Sequence, residues 1–351
     1  MKDSVQRVRA VLRGEKPDRT PIYELLRNDA VLSHFGGEAL TFENAREVVF
    51  RAYAPAVDAT RPIVRLPERE RTEVQPNGRQ FRQFRWTAWR EHAHYADSEA
   101  YAATKRKELD AFDPAWTKEK ARDMEDFMAS VADHRRRLGE VFFFPSGHGV
   151  GLMGIYGEVG LEDFSYSLAD CPEIIGELLE QRTVEAVTWI EHLPEGHGIE
   201  AVFAGDDIAF KSGPLLAPAW FKKNYFPRLA RVNATYHRKG IKVLFHSDGN
   251  LYPILEGLVE AGIDGLNPIE VLAGMDAVEI HRRHPHLFLA GGIDVSQLLP
   301  FGKPQEVKDA VHRAIDGTGG RLMVGSSTEL HEDVPLANYL ALREAALDHR
   351  I

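Results

Sequence analysis

Residues 241–250 read IKVLFHSDGN, and this decamer decides the fold. Apart from Lys242 its first half is apolar, as a strand buried on both faces of a parallel sheet would be, and its second half turns polar around Gly249. Working outward, the same change from apolar to polar occurs in VFFFPSG at 141–147, EAVFAGDD at 200–207, IDGLNPIE at 263–270, LFLAGGID at 287–294 and RLMVGSS at 321–327. Helical stretches lie between these runs, at 220–239, 253–261 and 304–316. With the apolar run 21–26 and a strand near Ile63, the count reaches the eight strands of an α/β fold of the (β/α)8 TIM barrel type. A doubly wound sheet shares the alternation, but no GxGxxG or P-loop follows any strand, and polar residues mark nearly every strand end instead of one switch point.

Two additions to the barrel are expected. Val5, Val8, Val11 and Leu12 recur at helical spacing before Gly14 and Pro17, which predicts an N-terminal capping helix. Between about 67 and 98, Asn77-Gly78 is a hairpin turn signal flanked by aromatic and charged residues, which predicts an inserted antiparallel hairpin whose aromatics pack on the barrel. No linker or repeat divides the chain, so residues 1–351 read as one domain.

Composition narrows the function classes. The 351 residues are 44% hydrophobic, enough for a large core, and 43 Lys and Arg face 53 Asp and Glu for a net charge of -10. That balance argues against nucleic acid or an anionic membrane as partner. Cys171 is the single cysteine, so one chain can build neither an internal disulfide nor a multi-thiolate metal site, and a cytoplasmic location is expected. No apolar run is long enough for a membrane span.

In a barrel the chemistry sits at the carboxyl ends of the strands. Those ends carry Glu24 and Arg27, His148, Asp206 and Asp207, then His246, Asp248 and Asn250, then Asn267 and Glu270, Asp294, and finally residues 326–331 including Glu329 and His331. Asp206 and Asp207 are candidates for acid–base work, or one of them caps a helix; neighbours on a strand point to opposite faces, so they divide the roles. His246 and Asp248, two apart, share a face. They can ligate a divalent metal, or the carboxylate can orient the imidazole, and Gly249 lets backbone approach a ligand. Glu24, Arg27, His148, Asn250, Asn267, Glu270 and Asp294 are read as substrate contacts, with Asp207, His246 and Asp206 as catalytic candidates.

RVRAVLRGEKPDRTPI at 7–22, GDDIAFKSGPLLAPAWFKKNYFPRL at 205–229, HSDGN at 246–250, GLNPIE at 265–270, AGGID at 290–294 and VPLAN at 334–338 together resemble, in order and spacing, the uroporphyrinogen decarboxylase superfamily. The resemblance spans nearly the whole chain and is weakest between about 60 and 140. It implies either a cofactor-free decarboxylase of a tetrapyrrole or other carboxylate, or a cobalamin-linked methyltransferase that uses zinc. The decarboxylases' arginine-rich segment after strand one corresponds to ELLRNDAV at 24–31, where Arg27 stands at one arginine position and the second is absent. The methyltransferases' histidine-x-cysteine after strand five corresponds to His246 and Asp248, and Ser327 or Thr328 stands near the position of a further cysteine. Oxygen donors make a harder site, for zinc or another divalent metal.

The leading expectation is therefore a methyltransferase or demethylase that acts on a small methylated substrate, with a corrinoid carried by a partner protein as acceptor. The alternatives are a decarboxylase in which Arg27 grips the acid, and a barrel that binds a tetrapyrrole or small acid without turnover. The resemblance also implies a homodimer.

Overall fold

The computed structural model describes residues 4–61 and 64–349. In chain order its strands are β1 Ala59–Thr60, β2 Arg71–Val74, β3 Gln80–Gln83, β4 Ala88–Arg90, β5 Phe142–Phe143, β6 Ala201–Gly205, β7 Ala209–Phe210, β8 Gly213–Pro214, β9 Lys242–His246, β10 Gly265–Asn267, β11 Phe288–Ile293 and β12 Leu322–Ser326. All six apolar-to-polar runs contain one of these strands, and the run 200–207 contains β6. The strand expected near Ile63 lies earlier, at β1, and Ile63 itself falls outside the described residues.

The result is an α/β fold built on parallel pairing. β6, β9, β10, β11 and β12 form a five-stranded sheet in which chain neighbours pair, and β1 pairs with β5. No single ladder runs through all these strands among the described residues. Isolated parallel bridges join the two sheets: Ile22 to Val324, Tyr23 to Ala59 and Ser146 to Phe203. The 21–26 stretch thus lies between β12 and β1 as backbone with local bridges.

Alternation along the strands sorts the side chains. On β9, Leu244 joins an apolar cluster with Tyr23, Ala59, Phe142, Phe144, Ala201, Phe288 and Met323, drawn from seven parallel segments. Val243 and Phe245 point the other way, into the layers between strands and helices. The helix Ser4–Leu12 adds Val8, Val11 and Leu12 to the same cluster as Leu244. By the two-residue period, His246 continues the face of Leu244 at the carboxyl end of β9.

The insertion is antiparallel, as Asn77-Gly78 predicts, but it has three strands in the order β2-β3-β4. Gly78 sits at φ +82 in the first turn. Ala88–Arg90 contributes a strand too short to stand out in the sequence. Phe81 and Trp86 pack inward as expected, whereas Phe84 and Trp89 stay exposed. Among the described residues no helix is long and apolar enough to cross a membrane.

Candidate functional site

Register builds the site. Gly205 of β6 and Asn267 of β10 both pair with His246 of β9, so the residues that follow β6 arrive level with the residues that follow β9. Asp206 and Asp207 then diverge, as adjacent strand residues must. The Asp206 carboxylate is consumed by local donors. It accepts from the backbone N–H of Leu152 at 3.0 Å and of Met153 at 2.6 Å, and from the Tyr225 hydroxyl at 2.8 Å. The first two are unpaired donors at the start of the helix Leu152–Val159, and Tyr225 is brought round by a π-helical turn, Phe221–Tyr225, ahead of the helix Phe226–Arg238. Burial raises the Asp206 carboxyl above its ordinary range, yet three donors oppose the shift. Asp206, read as a catalytic candidate, lines the cavity described below, and its carboxylate is committed to these three donors as a structural anchor.

Asp207 turns the other way. Its Oδ1 lies 3.6 Å from His246 Nε2 and accepts from the Asp248 backbone N–H at 3.2 Å. Asp207, His246 and Asp248 each present one donor atom, all within 4.8 Å of one another. The sequence offered His246 and Asp248 as ligands without a third; the fold supplies Asp207.

The state of His246 follows from its other nitrogen. Asn267 Nδ2 donates to the Ala290 carbonyl at 3.0 Å, so its Oδ1 is the atom that faces His246 Nδ1 at 2.8 Å. Nδ1 therefore carries the proton and Nε2 offers a lone pair toward Asp207. Burial, and then the Arg61 charge, hold the imidazole down to about 3, so it is neutral at physiological pH. Asp248 is displaced in the opposite direction, up to about 7, by burial and by the charges of Asp207 and Glu270. Its Oδ1 is buried with no hydrogen-bond partner. A neutral imidazole with its lone pair aimed, a carboxylate beside it and an unsatisfied carboxylate oxygen fit a divalent cation, which would hold all three donors and relieve the repulsion between the aspartates.

These groups line a cavity of about 480 Å³ together with Leu25, Arg27, Arg61, Arg65, Met153, Phe203, Gly205, Asp206, Thr328 and Glu329. Arg27 reaches it, as expected, but is paired to Glu329, which also accepts from Arg61 at 2.6 Å. Arg61, Arg65 and Phe203 also line the cavity and were not singled out from the sequence; the two-residue β1 leaves little apolar signal to mark Arg61 as a strand end. Of Ser327 and Thr328 only Thr328 faces the cavity; the Ser327 hydroxyl accepts from the Val295 N–H.

Six residues read as substrate contacts lie elsewhere, each for a physical reason. Glu24 is buried and accepts from the Ser326 hydroxyl at 2.6 Å, the Ser326 N–H at 2.9 Å and the Leu25 N–H at 3.1 Å. Burial carries its carboxyl to about 7 against those donors. Asn267 is buried and spent on His246 and Ala290. Glu270 accepts the Gly249 N–H at 2.5 Å and so pins the turn that carries Asp248. Asn250 and Asp294 accept backbone N–H groups two residues on, those of Tyr252 and Ser296. Gly249, at φ +92, packs so closely on the Ala209 backbone that a Cβ would stand 2.6 Å from it, so this glycine serves the turn and not a ligand. His148 lines a separate cavity of about 420 Å³ with Trp116, Arg182 and Trp189, and its ring is 5.1 Å from that of Trp189.

The family model for uroporphyrinogen decarboxylase matches residues 155–349. Among solved structures, a methyltransferase from Methanosarcina mazei is similar to this chain at a TM-score of 0.70 with 17% identity, over 99% of each chain, which shows a shared fold. No curated protein matches significantly in sequence. The matched span, more than half of the chain, includes Asp207, His246 and Asp248 and five of the six apolar-to-polar runs, and the chain belongs to the uroporphyrinogen decarboxylase family.

Proposed function

We propose that this chain is a metal-dependent enzyme of the methyltransferase-like branch, a closed (β/α)8 barrel capped by its N-terminal helix, that removes a methyl group from a small substrate for a corrinoid carried by a partner protein. The observation that carries this reading is the convergence of Asp207, His246 and Asp248 on one point, with Nε2 aimed by Asn267 and the Asp248 oxygen unpaired. A zinc or other divalent ion held there would act as a Lewis acid on the substrate's oxygen or nitrogen. The chain's own groups orient that atom. His246 keeps its ring fixed through Asn267 and is neutral, so it adds no charge against a cation. Asp207 is held by the Asp248 N–H, and Phe203, with its ring centroid 4.9 Å from that of His246, gives the substrate an apolar wall that excludes water.

A second reading, cofactor-free decarboxylation of a small carboxylate, is favoured by the guanidiniums of Arg27, Arg61 and Arg65 on the same cavity. Assay of the purified chain with methylated ethers and amines and a reduced corrinoid separates the two. Methyl transfer that is lost in His246→Ala supports the first reading. Carbon dioxide release from carboxylates, unchanged by that substitution and without methyl transfer, sinks it.

A further inference from the structure

We infer that Arg61 and Arg65 form a subsite for a carboxylate group on the small molecule that enters the cavity, so that the substrate is a small organic acid bound by its anionic end. This deepens the proposed function and rests on it only for where the reacting end of the substrate lies.

Three guanidiniums, from Arg27, Arg61 and Arg65, line the cavity, and Glu329 is the carboxylate with which Arg27 and Arg61 both pair. Neither is saturated by it. Arg27 Nε is buried without a hydrogen-bond partner. Arg61 Nη1 lies 3.4 Å from His246 Nδ1, but that nitrogen already carries the proton it gives to Asn267, so it cannot accept from Arg61. Arg65 has no carboxylate partner among the described residues, and its charge is close enough to weigh on Arg27. Arg61 is 6% exposed and Arg27 half-buried, and two such guanidiniums sharing one carboxylate with donors left over is a costly arrangement. An oxyanion accepting from those N–H groups would offset the cost and give the planar, charge-assisted geometry that arginine favours.

The body of the ligand has a defined track. The Arg61 Cζ stands 5.1 Å from the Phe203 ring centroid, and the same ring packs on His246. A molecule with its carboxylate at Arg61 and Arg65 lies along Phe203 and places its body beside His246, Asp207 and Asp248. A cavity of about 480 Å³ suits a compact acid.

Calorimetric titration with benzoate, and with benzamide as its neutral counterpart, tests this. The full chain is used after chelator treatment, so that no ion competes for the carboxylate. Benzoate is expected to bind about tenfold or more tightly than benzamide, and Arg65→Met and Arg61→Met are each expected to remove about that factor for benzoate alone. Because Arg61 is buried, the exposed Arg65 carries the test if Arg61→Met does not fold. Equal affinities, benzoate binding indifferent to Arg65→Met, or no benzoate binding at millimolar concentration overturns the inference. Elemental analysis of untreated samples keeps the two ideas apart. Protein that holds metal but ignores charge on the ligand fails here only, and protein that discriminates but never holds metal fails the proposed function only.

Discussion

At the seam between β12 and the 21–26 stretch, Glu24 is buried and receives three hydrogen bonds; at the ends of β6 and β9, Asp207 and Asp248 are half-buried at the cavity and receive one between them from the groups around them. Asp206, next to Asp207 in the chain, belongs with Glu24, since all its donors are in place. The difference teaches that a carboxylate at a strand end is not evidence of chemistry until its partners are counted. A saturated, fully buried carboxylate holds the backbone, and an unsatisfied one facing a cavity is open to something that arrives later.

Substitutions sharpen or break this contrast. Asp206→Ala strands two N–H groups and the buried Tyr225 hydroxyl, and is expected to cost about 3 kcal/mol or more in urea unfolding. Asp207→Ala should cost within about 1 kcal/mol. Equal losses would erase the distinction between the neighbours.

Asn267→Ala frees the His246 ring, and zinc affinity read by competition with a chromogenic chelator is expected to fall about 10- to 100-fold. Asn267→Asp, which keeps the acceptor, should retain most of it. An unchanged affinity in the alanine variant would mean that Asn267 does not set the ring.

The smallest effect is a matter of pH. In metal-free protein the Asp248 carboxyl titrates at about 7, above its ordinary value, so between about pH 4 and 7 the folded chain keeps a proton that the unfolded chain has lost. Stability from this group therefore falls as pH rises through that window. Asp248→Asn removes the cost, and a gain of about 1 kcal/mol at pH 8 that fades toward pH 4 is expected in thermal unfolding. Glu24 titrates in the same window in both proteins and cancels. Destabilisation of the asparagine variant at pH 8 would show that Asp248 is satisfied after all.

The parallel strands were legible because each is a short apolar run that turns polar, and His246 with Asp248 because a two-residue spacing fixes a face. What the sequence hid is long-range. Nothing near Glu24 announces that Ser326, some three hundred positions on, will bond it, and nothing near Asn267 announces Ala290 as the acceptor that sets its orientation. Arg61 was hidden for a local reason: β1 is two residues long, and its end has no apolar run in front of it to mark it. His148 was placed correctly after a strand, but its ring lies against Trp189 and lines a separate cavity, a long-range contact the local sequence does not announce.

Elemental analysis of protein purified without chelators tests the central claim most directly. One equivalent of a divalent metal is expected in the native chain, lost in each of Asp207→Ala, His246→Ala and Asp248→Ala. A native chain without metal, or one whose metal survives all three substitutions, would contradict it.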